Sequence, residues 1–264
     1  MKKTAALELR NVSYIANGRT ILDSIDWTVQ YGEHWAILGP NGSGKTTLLK
    51  LASGYLWPNA GGRVLRKGKE LTYLPELRKS IGWVTASLAG EIPAREKALN
   101  TVVSGKFAQI GYLGGFWGQA SRSDYTRARR YLKELGSESI QEQEFGTLSQ
   151  GEQQKVLIAR ARMTKPYLII LDEPCAGMDP GARECFLAAL NQVGRRKTLP
   201  ALLYVTHHIE EILPLFRKTL VLRDGKVAHA GPTGSVLKHD VLRRLYGVRL
   251  AIMKRKGRHW PITE

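Results

Sequence analysis

The sequence predicts an α/β fold with a mostly parallel core sheet, and three observations carry that expectation. Short apolar runs at 34–39, 167–171 and 201–205 alternate with segments of helical spacing, the pattern of a largely parallel sheet with helices packed on it. The first run leads into Gly39-Pro40-Asn41-Gly42-Ser43-Gly44-Lys45-Thr46, which matches the nucleotide-phosphate loop G-x-x-x-x-G-K-[ST] in its strand–loop–helix setting. The second run ends in two carboxylates, Asp172 and Glu173.

In chain order, Asn17-Gly18 is a hairpin turn signal between candidate strands at 7–16 and 20–29. After the strand at 34–39 the glycines let backbone N–H groups curl around phosphates, and the helix that follows adds its partial positive N-terminus. Lys45 can reach the β- and γ-phosphates, the Thr46 hydroxyl can ligate Mg²⁺, and Thr47 continues into a helix that stops near Gly54. These residues imply binding of a nucleoside triphosphate. A carboxylate at a strand end beside such a loop can hold Mg²⁺, the role expected of Asp172. A second, Glu173, is placed to orient or deprotonate an attacking water. Four apolar residues leading into paired acids would be a costly arrangement without a cation.

With these residues in place the chain resembles an ATP-binding cassette (ABC) ATPase, over roughly residues 7 to 247. Besides the loop and the acidic strand end it carries Leu148-Ser149-Gln150-Gly151-Glu152, similar to the family signature LSGGQ. Met178-Asp179 stands where the family has its D-loop, Thr206-His207 where it has its switch histidine, and Tyr14 at the aromatic that stacks on adenine. The resemblance implies ATP as the nucleotide, with Mg²⁺. It also implies that Ser149, Gln150, Gly151 and Glu152 meet the γ-phosphate of ATP held by a second cassette, so that two chains dimerise head to tail. His207 would contact the γ-phosphate and fix the water–Glu173 geometry, while His208 would face elsewhere. One departure stands out. The strand at 81–84 continues as Thr85-Ala86-Ser87, without the family's Mg²⁺-ligating glutamine. Ser87 or a water would have to supply the missing oxygen at Ala86, and weaker Mg²⁺ retention or altered coupling is expected.

The family pattern divides the chain into a cassette at 1–247, with a helical lobe at 85–147 inserted in it, and a C-terminal hairpin at 248–264. The lobe includes a candidate helix at 123–135. It also holds the Gly- and aromatic-rich stretch 111–118, which reads equally as a docking surface or as a connector with its aromatics tucked in. The 264 residues, 43% hydrophobic and 24% charged, suffice for a full core. No apolar stretch reaches the roughly 18–20 residues that span a bilayer. Glu8 and Arg10 interrupt any apolar core behind the basic start, so residence in the cytoplasm is expected. Cys175 and Cys185 lack the spacing of a disulfide or zinc framework. The net charge of +17 is spread over 63–69, 122–133, 183–197 and 243–258. Solvated helix faces explain that spread first, an anionic membrane surface second, and nucleic acid last.

Two function classes share this chemistry. One is the ATP-hydrolysing subunit of a transporter working with an integral-membrane permease. The other is a soluble ABC ATPase acting on a ribosome, nucleic acid or cofactor-assembly partner. Relatives that act on ribosomes usually carry two cassettes per chain, and those of DNA repair carry long coiled coils. This chain has neither, which favours transport. The phrase Gly32-Glu33-His34-Trp35 and the pair His207-His208 resemble a molybdate- or metal-uptake subgroup.

Overall fold

The computed structural model describes residues 4–114, 118–196, 199–248 and 250–263. Two compact units emerge, one formed by residues 1–78 and 200–264, the other by 79–199. The second contains the segment 85–147 expected as a helical lobe, together with strands and helices on either side of it.

The first unit opens with β1 (Leu7–Ala16) and β2 (Arg19–Val29), paired antiparallel from Leu7↔Val29 to Ala16↔Arg19. Asn17 and Gly18 form the two-residue turn, both at positive φ (49° and 71°), as the right-handed twist of a hairpin requires. Leu7, Leu9, Val12, Leu22 and Ile25 are buried, so alternate positions of the hairpin feed a core. Next come β3 (His34–Leu38), whose last four residues are all buried, and α1 (Lys45–Ser53). β4 (Arg63–Arg66) then pairs antiparallel with β1, Leu7↔Arg66. The fully buried Arg66 donates to the carbonyls of Ala52 (2.8 Å) and Leu51 at the end of α1. A cation there complements the partial negative charge of the helix C-terminus. A short α2 (Leu74–Ser80) follows.

The second unit contains β5 (Ile81–Thr85), α3 (Ala86–Glu91), α4 (Ala98–Ser104), α5 (Arg122–Glu134), α6 (Gln150–Ala161), β6 (Leu168–Asp172) and α7 (Pro180–Gly194). β5 and β6 run parallel, with Thr85 opposite Asp172. α4, α5 and α7 pack on α6, whose Val156, Leu157, Ile158 and Ala159 are buried. The stretch 111–118 noted in the sequence belongs to this unit, and its residues 115–117 lie outside the described ones.

Back in the first unit, β7 (Ala201–Thr206) pairs parallel with β3, Leu38↔Thr206. β8 (Lys218–Arg223) flanks β3 on its other side, also parallel, and β9 (Lys226–Pro232) folds back antiparallel on β8. The chain closes with α8 (Thr233–Val236), α9 (His239–Tyr246) and the antiparallel hairpin of β10 (Leu250–Arg255) and β11 (Arg258–Thr263). The first unit thus combines an antiparallel N-terminal sheet with a mostly parallel one that carries the phosphate loop, and the second pairs parallel strands with helices packed on α6.

Candidate nucleotide site

In the first unit, the register of β3 and β7 fixes the site. Leu38 lies opposite Thr206, so Gly39 and His207 both step off the carboxyl edge of adjacent parallel strands, where such sheets bind ligands. Gly39 has no room for a side chain. A Cβ there would come within 2.7 Å of Ser43 Oγ and closer still to the Leu222 carbonyl on β8. Gly44 closes the loop at φ 99°, and a Cβ on it would press on Leu22 Cδ2 at 2.7 Å. Leu22 is also the register partner of Tyr14, so the half-buried Tyr14 sits on the hairpin that backs the loop.

The chemistry of the loop favours an anion. Lys45 is only 7% exposed, and its ammonium donates to the carbonyls of Gly39 (2.8 Å) and Pro40 (3.0 Å). No side chain caps the N-terminus of α1, and no acid occupies its first turn. The buried Ser43 hydroxyl, 3% exposed, has no hydrogen-bond partner. An orphaned hydroxyl, an ammonium and an uncapped helix N-terminus are what a phosphate would satisfy. Asn41, Gly42 and Thr46 are exposed or loop-borne, and Thr47 is half-buried in the first turn of α1. The turn after β7 is tightly held: the His208 amide donates to Thr206 Oγ1 at 2.9 Å. That turn also corrects one expectation, because His208 does not face away. Its ring lies against His207, centroids 4.2 Å apart, and its Nδ1 is 3.2 Å from Glu210.

In the second unit, Asp172 ends β6 and Glu173 follows at φ 48°. A non-glycine residue in the left-handed region costs energy, and such positions cluster at functional sites. Opposite Asp172 stands Thr85, whose Oγ1 caps α3 through the Leu88 amide (3.1 Å) and bonds Ser87 Oγ (2.8 Å). Ala86 therefore opens a helix. The hydroxyls on either side of Ala86 in the chain belong to Thr85 and Ser87, where the sequence put forward Ser87 or a water. The signature begins α6 with Ser149 as N-cap in a capping box. Ser149 N and Oγ both donate to the Glu152 carboxylate, at 2.9 and 2.7 Å. Gly151 lies 3.9 Å from Met178 Sδ measured from an added Cβ, and Gln150 flanks Gly177, so the signature and the D-loop meet. Asp179 caps α7 through the amides of Gly181 (2.8 Å) and Ala182 (3.0 Å). Cys175 is buried and Cys185 exposed.

The model of the family described as ABC transporter matches residues 22–176, more than half of the chain. The chain belongs to the ABC transporter ATP-binding family. It is 38% identical over 264 residues to the uncharacterized ABC transporter ATP-binding protein YlmA of Bacillus subtilis (strain 168), covering 97% of this chain and 98% of that protein. Another relative, the uncharacterized ABC transporter ATP-binding protein YmeB of Lactococcus lactis subsp. lactis (strain IL1403), is 36% identical over 257 residues, with 97% and 98% covered. Among solved structures, cbiO1 from Clostridium perfringens, part of the ABC transporter complex cbiONQ, superposes with a TM-score of 0.78 at 27% identity. The match covers 91% of this chain and 94% of that one. As a member of this family the ABC protein described here binds ATP and hydrolyses it. Among its described residues no helix is long and apolar enough to cross a membrane.

The structure gathers the expected residues into two sets. Tyr14, the loop 39–46, Thr47 and His207 belong to the first unit. Asp172, Glu173, Ser149, Gln150, Gly151, Glu152 and Asp179 belong to the second. Residues the sequence did not bring forward are Thr85, Tyr204, Glu211, Tyr246 and Arg258. The last four bind one another or the turn after β7 across 5 to 48 residues of chain. Only the Tyr204–Glu211 and Thr206–Glu211 spacings are short enough to have been noticed locally.

Proposed function

We propose that this chain is the ATP-hydrolysing subunit of a transporter, cradling ATP on the loop 39–46 and passing the energy of hydrolysis to an integral-membrane permease. The observation that carries the reading is the loop itself: a buried lysine, an orphaned hydroxyl and an uncapped helix N-terminus at the carboxyl edge of a parallel sheet. Lys45 would leave the carbonyls of Gly39 and Pro40 for the β- and γ-phosphates, a charge-assisted exchange. Tyr14 would stack on the adenine. Glu173 would hold and deprotonate the attacking water, and His207 would contact the γ-phosphate. Asp179 would act through the D-loop that it caps.

Thr46 and Asp172 would hold Mg²⁺. Among the described residues no cluster of three or more His, Cys, Asp or Glu side chains could cage a metal, which suits a hard cation held through one or two protein oxygens and phosphate. When bound, Mg²⁺ neutralises charge on the phosphates. The Thr85 and Ser87 hydroxyls flank position 86 in the chain.

Ser149, Gln150, Gly151 and Glu152 would complete the site of a second copy of the chain, so two chains would close head to tail around two ATP molecules. The homodimer would sit peripherally at the inner face of the cell membrane, docked on its permease. Nucleic acid is not needed as a partner: the loop, signature and switch histidine account for the chemistry without one.

ATP binding and turnover of the unmodified chain and two variants test this reading. Lys45→Ala leaves phosphate charge unpaired and should weaken ATP binding about 10- to 100-fold, the worth of one charged hydrogen bond. Glu173→Gln should keep ATP binding and lower hydrolysis by about 10²–10⁴. Hydrolysis by Glu173→Gln at the rate of the unmodified chain would refute the assignment.

A further inference from the structure

We infer that the C-terminal segment of α9 and the β10–β11 hairpin is a clamp that positions His207, with Tyr246 and Arg258 supplying hydrogen bonds to the turn that carries it. The inference rests on the reading of His207 as the residue that meets the γ-phosphate, and goes beyond it by naming what holds that residue in place.

The Tyr246 hydroxyl, from the last residue of α9, donates to the carbonyl of His207 itself at 3.1 Å. Three residues further on, the Arg258 guanidinium of β11 captures the Glu210 carbonyl, through Nε at 2.9 Å and through Nη2. Its Cζ lies over the Trp260 ring, 4.7 Å from the centroid, a cation–π contact that helps hold the fork. From beneath, the turn is anchored by Glu211, whose buried carboxylate accepts from Thr206 Oγ1 (2.7 Å) and Tyr204 OH (3.0 Å). The peptide groups that aim the His207 side chain are thus held by β7 on one side and by the C-terminal segment on the other. Exposed loops tied only to themselves sample many geometries. A residue that must meet a phosphate oxygen has to be held within about 0.5 Å by groups whose own positions are locked. Burial, with the Glu210 charge as a lesser cause, pushes the Tyr246 phenol above its ordinary range, so it stays a donor throughout neutral pH.

Clamp and core make separable contributions. Loss of either C-terminal contact leaves β3, the phosphate loop and Lys45 untouched, so ATP capture persists while the transition-state contact of His207 loosens. Such a change lowers kcat and leaves the KM for ATP in place.

The test compares Tyr246→Phe, Arg258→Met, Arg258→Lys and His207→Ala in the full chain. ATP turnover, thermal unfolding and the proton–carbon resonances of the His207 imidazole are read for each chain that retains it. The clamp predicts that Tyr246→Phe, which loses one hydrogen bond, lowers kcat roughly 2- to 10-fold at unchanged KM, and that Arg258→Met, which loses both donors to the Glu210 carbonyl, lowers it at least as much. It also predicts that they shift the His207 resonances and that Arg258→Lys, which keeps a donor, recovers part of the rate. Unchanged kcat and unchanged His207 resonances in both, beside an inactive His207→Ala, would overturn the clamp and leave the role of His207 intact. A His207→Ala chain as active as the unmodified one would overturn the role of His207 and the clamp with it.

Discussion

Glu152 is the residue at which local structure and trans chemistry compete. Its carboxylate occupies the hydroxyl and amide of Ser149, a residue that the resemblance implies would meet a partner's γ-phosphate. A capping box of this kind contributes about 0.5–2 kcal/mol to the helix start, and the carboxylate adds like-charge repulsion against an incoming phosphate. A glutamine in its place would still accept from Ser149 and would carry no charge. Glu152→Gln should therefore tighten ATP-driven association of two chains several-fold, by a repulsion of roughly 1 kcal/mol removed. Sedimentation of both chains with saturating ATP measures it, and equal dimer dissociation constants would show that the carboxylate does not oppose the phosphate. The S-x-x-E spacing that makes the cap is plain in the sequence, yet there it reads only as a variant signature. What the sequence could not show is which way the carboxylate turns.

At the scale of elements, α5 illustrates how a helix is both started and charged. Ser121 is its N-cap and Asp124 completes a capping box, with the Asp124 side chain 3% exposed and Lys106 Nζ 2.6 Å away. Burial alone would raise this carboxyl. The hydrogen bonds of Lys106 and of the Ser121 amide and hydroxyl outweigh it and hold the group at about 2. A folded-state value below the unfolded 3.8 means that the unfolded chain binds the proton more readily. The contribution is therefore complete above about pH 4 and is lost as pH falls toward 2. Asp124→Asn should cost about 1–2 kcal/mol at pH 7, and urea midpoints should show that difference shrinking between about pH 4 and 2. A gap that stays constant with pH would contradict the assignment. Elements of this sort were legible because their signals are local. The hairpin at Asn17-Gly18, the strands β3, β6 and β7 and the helix at 122–134 stand within two or three residues of their sequence-read limits. Others left no local mark. The β8–β9 hairpin turns at Asp224-Gly225, a D-G signal easily passed over beside stronger motifs, and the start of α3 depends on the cap that Thr85 supplies. The C-terminal contacts on the His207 turn join residues 39 and 48 positions apart, and no periodicity encodes such a pairing.

For the whole molecule, one chain carries one phosphate loop and one signature, so on the proposed reading its chemistry would be complete only in pairs. ATP would act as the adhesive between two copies, and its hydrolysis would release them, which turns differential binding into motion. The measurement that tests this most directly is the mass of Glu173→Gln by light scattering, with and without ATP–Mg²⁺. A monomer of 29.4 kDa is expected without nucleotide, and a species of twice that mass once ATP is bound. A chain that binds ATP and remains a monomer at every concentration of nucleotide would contradict it.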